Sequence, residues 1–191
     1  MKIIIITGPP YSGKGTQCEI ISKELGFQHI STGDRCRLEK LQQTKIGLTL
    51  SAYEEKGDLV PDSVMKELFS RIIDEHIQEN GILLDGYPRT KPQVDDLLEL
   101  TKTKGTPISG VINILVPQEE LLARALKRAA ASTRIDDKDP ATHLKRVRIF
   151  EEATLPAIEY MRTKLPVENI DGIGGIEEIT RRVGRAIQGM K

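Results

Sequence analysis

A short apolar run, Lys2–Thr7 (KIIIIT), passes directly into Gly8-Pro9-Pro10-Tyr11-Ser12-Gly13-Lys14-Gly15-Thr16, and a helical pattern follows over Lys14–Leu25. A strand joined to a helix through a glycine-rich turn leaves the first amides of that helix unpaired and facing the turn. Glycines let such a backbone wrap around phosphate oxygens, the helix N-terminus supplies positive potential, and Lys14 adds a mobile ammonium. This one segment restricts the chain to an α/β fold with a phosphate cradle at the carboxyl end of its first strand. The generic loop has Ser or Thr directly after the lysine, whereas here Gly15 intervenes and Thr16 follows.

The remaining apolar segments alternate between two periods. Residues 82–85 (ILLD), 111–116 (VINILV) and Val167–Asp171 (VENID) read as further strands, and the first three of the four strands read as buried on both faces. Val64, Leu68, Ile72 and Ile77 recur at helical spacing, as do Leu121, Leu122, Ala125 and Leu126, and then Ile176, Ile179, Val183 and Ile187. Strand and helix in alternation predict a doubly wound, mostly parallel sheet flanked by helices, with ligands beyond the strand ends after Thr7, Ile30, Leu84 and Val116. Residues 31–60 are mixed and polar and residues 129–140 are small and charged, so both are expected to leave the core. The 191 residues suit one domain, without repeats or a low-complexity linker.

Charge narrows the partners. Lys and Arg total 28, Asp and Glu total 28, and a neutral chain has no general attraction for nucleic acid or membranes. Any polyanion has to be held by a local cluster, and five of the thirteen arginines lie between Arg124 and Arg148. The N-terminal Met-Lys before an apolar run of this length reads as a first strand and not a signal peptide, and no apolar run reaches a membrane span, so a cytoplasmic protein is expected. Two cysteines, Cys18 and Cys36, and three dispersed histidines lack zinc-site spacing, so no zinc is expected.

Five segments in order carry a resemblance. They are the GKGT loop followed by Gln17, residues 31–37 (STGDRCR), 57–62 (GDLVPD) and 84–93 (LDGYPRTKPQ), and finally Arg124, Arg128, Arg134, Asp136, Asp137 and Arg146. Together they span most of the chain and resemble the nucleoside monophosphate kinases, in particular the adenylate kinases of short-lid form. That resemblance implies a P-loop doubly wound α/β fold with a parallel five-stranded sheet. Its core covers residues 1–30, 61–127 and 139–191, with a nucleoside-monophosphate-binding lobe over 31–60 and a lid over 128–138. The lid has none of the cysteines with which long-lid relatives bind zinc.

The implied reaction is reversible magnesium-dependent phosphoryl transfer, ATP and AMP giving two ADP, by a monomer. Lys14, Arg89, Arg128, Arg134 and Arg146 are the expected catalytic residues, because a transferring phosphoryl group needs positioning and charge neutralisation more than covalent help. Gly8, Tyr11, Ser12, Gly13, Lys14, Gly15 and Thr16 are expected around the donor phosphates, with Arg124, Arg128 and Gly174 completing the ATP site. Thr32, Arg37, Asp58, Leu59, Val60, Gly86, Tyr87, Pro88, Arg89, Gln93, Arg134 and Arg146 are expected at AMP. A Gln amide can both donate and accept, which suits the adenine edge. Asp85, at the end of an apolar strand, is expected to order Mg2+ through water. Arg35, Arg148, Arg181, Arg182 and Arg185 are left as surface charges.

Two alternatives remain open: a UMP/CMP kinase on the same fold, and a nucleotide-binding module without turnover. The second is motivated by Tyr11, which stands where most members of the resembled family carry glycine. Its ring either lies outward or leans over the donor phosphates and packs toward the lid. A GTPase is disfavoured because no Asn-Lys-x-Asp guanine reader occurs.

Overall fold

The computed structural model of the protein describes residues 1–56, 60–131 and 140–190. Among the described residues, five strands form one sheet: β1 (Lys2–Thr7), β2 (Gln28–Ser31), β3 (Gly81–Asp85), β4 (Ile108–Leu115) and β5 (Val167–Asp171). Their order is β2-β3-β1-β4-β5 and every pairing is parallel. The helices are α1 (Lys14–Leu25), α2 (Thr32–Leu41), α3 (Lys45–Lys56), α4 (Asp62–Glu75), α5 (Lys91–Thr103), α6 (Gln118–Ala131), α7 (Pro140–Ile149), α8 (Leu155–Arg162) and α9 (Ile176–Gly189). Between α7 and α8, Phe150–Thr154 runs as a π-helix.

Alternation along β1 divides the core into two layers, since successive strand side chains point to opposite faces. Ile3 and Ile5 join Leu68, Phe69 and Ile72 of α4, Val94 and Leu97 of α5, and Ile158 and Met161 of α8. Ile4 and Ile6 join Cys18 and Ile21 of α1 and Ile179, Val183 and Ile187 of α9 on the other face. Each fully buried Ile, Leu or Val contributes about 1.5–3 kcal/mol relative to exposure. The sheet is covered on both sides as the sequence predicts, and the loops at its carboxyl edge are left to build a cleft.

Some elements differ from the sequence pattern. Strand β4 begins at Ile108, earlier than predicted, and α4 closes at Glu75, so Ile77 lies beyond the stripe it was grouped with. Its amide instead closes a turn on Asp74 O at 3.5 Å. Residues 31–56, polar in sequence, form the end of β2 and two helices, α2 and α3. These helices meet closely enough that a Cβ on Gly47 would stand 2.0 Å from Glu39 O, so only glycine fits there. Glu39 itself is buried and paired with Arg71 at 2.5 Å. No described helix is long and apolar enough to cross a membrane.

Candidate phosphate-transfer cleft

The loop between β1 and α1 is fixed by backbone conformation. Gly8 has φ 142 and its Cβ position would fall 2.5 Å from Ile114 O, so a larger residue would push β1 from β4. Tyr11 and Gly13 also have positive φ, 68 and 89, and Gly13 is the N-cap of α1. The Ser12 amide donates to Pro9 O at 3.2 Å, and Lys14 Nζ donates to the same carbonyl at 3.1 Å. Ser12 Oγ is buried with no hydrogen-bond partner among the described residues.

Around this loop is a cleft of about 630 Å3. Gly8, Tyr11, Gly13, Lys14, Gly15 and Thr16 line one side; Arg37, Gly86, Pro88 and Arg89 line the other, with Arg128 and Arg146 also in the wall. Burial lowers the Lys14 pKa, opposed by the neighbouring carboxylate of Asp85. The ammonium thus stands partly stripped of water, where an anionic oxygen gains most from it.

Asp85 ends β3 at the floor of the cleft. Its Oδ2 lies 3.3 Å from His29 Nε2 on β2, and a Cβ on Gly15 would be 3.6 Å from that oxygen. With Thr16 and Glu19 in the same cleft, the donors near the loop are hard oxygens with one carboxylate at the strand end. That set suits a magnesium ion that keeps several waters and arrives with a phosphate ligand. Cys18, His29 and Asp85 also bring one ligand atom each within 4.8 Å of one another, a cluster that sequence spacing did not reveal. Burial, reinforced by Asp85, pushes the Cys18 thiol well above its ordinary pKa.

Arg124 on α6 reaches across to the loop. Its guanidinium donates to Ser12 O at 3.2 Å, to Gly172 O at 2.9 Å and to Glu120 at 2.8 Å. Gly172 begins the turn after β5 that carries Gly174, so Arg124 ties that turn to the phosphate loop. Arg128, four residues on, is one turn further along α6.

On the opposite side most side chains are engaged with each other. Arg37 pairs with Asp34 at 2.5 Å, and Arg89 Nε donates to Gly86 O at 2.7 Å. Thr32 donates to Asp85 O at 2.8 Å. Gln93 is buried at the first turn of α5, where its Nε2 donates to Asp62 Oδ1 at 2.7 Å and its Oε1 accepts from the Arg89 amide at 2.8 Å. Tyr87 is 2% exposed and stacked on Phe69, with ring centroids 3.7 Å apart, so its ring belongs to the core. Val60 packs against the same core cluster. Asp58, Leu59 and Arg134, with Asp136 and Asp137, lie outside the described residues.

On α7, Arg146 is half-buried and lines the cleft, whereas its neighbour Lys145 is exposed. Arg146 Nη1 lies 3.5 Å from the Tyr11 hydroxyl, which also meets His143 Nδ1. The Tyr11 and His143 rings stack with centroids 5.1 Å apart and an interplanar angle of 29°. His143 is a site residue that sequence reasoning missed; its only signal was the three-residue spacing to Arg146, which puts both on one helix face. The arginines left as surface charges include Arg35, Arg148 and Arg182, which pair with Glu75 at 2.7 Å, Glu152 at 2.8 Å and Glu178 at 2.6 Å.

A family profile described as adenylate kinase matches residues 6–165. The adenylate kinase of Parabacteroides distasonis is 38% identical over 188 residues, covering 98% of this chain and 98% of the relative. That of Bacteroides fragilis is 38% identical over 184 residues, covering 96% and 97%. That of Renibacterium salmoninarum is 37% identical over 191 residues, covering 100% and 98%.

Proposed function

The chain belongs to the adenylate kinase family, and we propose how its cleft divides the work of that family's reaction. The reaction is reversible transfer of the terminal phosphoryl group of ATP to AMP, giving two ADP. Adenylate kinases use magnesium-bound ATP. In this reading ATP lies on the side of the phosphate loop, with the amides of residues 11–16 and Lys14 on its phosphates and Arg124 and Gly174 toward its base. AMP lies opposite, its phosphate on Arg37 and Arg89 and its base read by Gln93 with Thr32 and residues 58–60.

The observation that carries this reading is the meeting of Lys14, Arg37, Arg89, Arg128 and Arg146 around one cleft at the carboxyl edge of the sheet. The acceptor is already an anion, so no general base is required. What remains is to align two phosphates and offset their charge where water is excluded. Arginine suits this, because it stays charged and grips phosphate oxygens in pairs. Arg134 is assigned to the same group from the sequence. Mg2+ ordered through water by Asp85 and Thr16 would neutralise charge on the outer phosphates of the donor. Residues 31–60 act as the acceptor lobe and residues 128–138 as the lid that shuts out water. Both nucleotide sites are assigned within one chain, which supports a monomer, and the thiols of Cys18 and Cys36 suit the reducing cytoplasm.

The test is a coupled assay of ATP with AMP, CMP or UMP in turn. ADP formation with AMP far above that with CMP or UMP is expected. Preference for a pyrimidine monophosphate would reassign the acceptor, and ATP binding without any ADP formation would make the protein a binding module.

A further inference from the structure

Tyr11 is the one side chain of the phosphate loop that is too bulky for its backbone conformation. At φ 68 it occupies the left-handed region that glycine takes without strain, and a strained side chain persists where its surroundings hold it. Its holder is α7, 132 residues away in sequence. The ring stacks on His143, and the phenol oxygen stands between His143 Nδ1 and Arg146 Nη1.

The donor inventory fixes the direction of one of these contacts. A guanidinium only donates, so Arg146 takes a lone pair of the phenol oxygen, while the phenol oxygen and His143 Nδ1 share one proton whose donor is set by the ring tautomer. Tyr11 therefore joins three things that the cleft needs in register: the loop whose amides face the donor, helix α7, and the arginine that α7 carries. An arginine on a helix face has many rotamers, and anchorage at the phenol oxygen reduces them.

Resting on the cleft assignment above, we infer that Tyr11 is a positioning residue that clasps the phosphate loop to α7 through His143 and thereby aims Arg146 at the transferring phosphoryl group. The clasp also narrows the route by which water reaches the donor phosphates.

The experiment uses Tyr11→Phe, which keeps the ring and its packing and removes only the hydroxyl, together with His143→Ala and the double variant. Amide hydrogen exchange over residues 140–149 in the nucleotide-free protein reads the clasp itself. Faster exchange in each single variant, with no further increase in the double, is expected. In the enzyme assay, the ratio of ATP hydrolysis without AMP to transfer with AMP should rise at least about threefold in Tyr11→Phe, through lower kcat with the AMP KM unmoved. Exchange and ratio both equal to wild type in Tyr11→Phe would overturn the proposal. So would independent, multiplying effects of the two single variants, or a response confined to Tyr11→Gly, which would assign the role to ring packing alone. If wild-type protein made no ADP from ATP and AMP, the reading of the cleft would fail, and the exchange measurement would still decide the clasp.

Discussion

The two sides of the cleft differ in what holds their binding groups. On the donor side, Lys14 rests on the Pro9 carbonyl, Arg124 rests on the carbonyls of Ser12 and Gly172 besides Glu120, and the loop amides are aimed by the chain itself. On the acceptor side, Arg37 is held by the carboxylate of Asp34 and Gln93 by that of Asp62. A phosphate arriving at the loop meets donors already in place. In the proposed arrangement, AMP would take Arg37 and Gln93 away from carboxylates that compete for the same N–H groups. Preorganisation strengthens the first side, and exchange of partners makes the second side selective, because only a ligand that replaces those hydrogen bonds can open it.

The largest effect that tests this contrast is expected from Lys14→Ala. Removing one charged donor from a preorganised site lowers kcat by about 10²-fold or more. The thermal midpoint should stay near wild type, because among the described residues the ammonium donates a hydrogen bond only to a loop carbonyl. A variant within a few-fold of wild-type kcat would show that the loop amides suffice without it.

Gln93→Ala is the matching test on the other side. It should raise the AMP KM by the equivalent of about 1–3 kcal/mol and leave the ATP KM unchanged, since only the acceptor base is read there. Equal increases for both nucleotides would dissolve the division between the two sides.

The two thiols sample the same contrast, Cys18 on donor-side α1 and Cys36 on acceptor-side α2. Cys18 is 1% exposed and its pKa is raised by burial and then by Asp85, so at about pH 8 its thiolate is scarce, whereas Cys36 is only half-buried. Mass spectrometry after brief alkylation should find Cys36 modified first, with Cys18 reacting only as pH rises well above the ordinary thiol range. Prior reaction at Cys18 would mean that the donor side opens readily.

The smallest effect sharpens the comparison most. Asp34→Asn removes the carboxylate that competes for Arg37, and the AMP KM should fall, though by less than about fivefold, because the pair is exposed and such pairs are worth at most about 1 kcal/mol. An increase instead would make Asp34 part of the AMP site.

The donor side was legible in the sequence because its signals are local. A strand, glycines at fixed offsets and a lysine at a helix start lie within sixteen residues and determine their own geometry. The acceptor side was legible as motifs but not as structure. Helix α2 buries only Thr32 and Glu39, two polar residues, so no apolar stripe marks it. Strand β2 lies at the sheet edge with Ile30 alone buried, too little for a period-two pattern. The contact of Gln93 with Asp62 and that of Tyr11 with His143 join residues 31 and 132 apart, and no local periodicity encodes such a meeting.

The π-helical segment at Phe150–Thr154 sets the angular phase between the end of α7 and the start of α8. A wide turn holds one residue more than an α-turn of the same rise, and each residue advances an α-helix by about 100°. Ahead of it, Arg146 faces the cleft; behind it, Ala157, Ile158 and Met161 face the core. Wound instead as regular α-helix, the same five residues would rotate one face against the other by about 100°. The apolar side would still find the sheet, and the arginine would leave the cleft. Along this stretch the wide turn takes up one extra residue and keeps the polar face of α7 and the apolar face of α8 in phase.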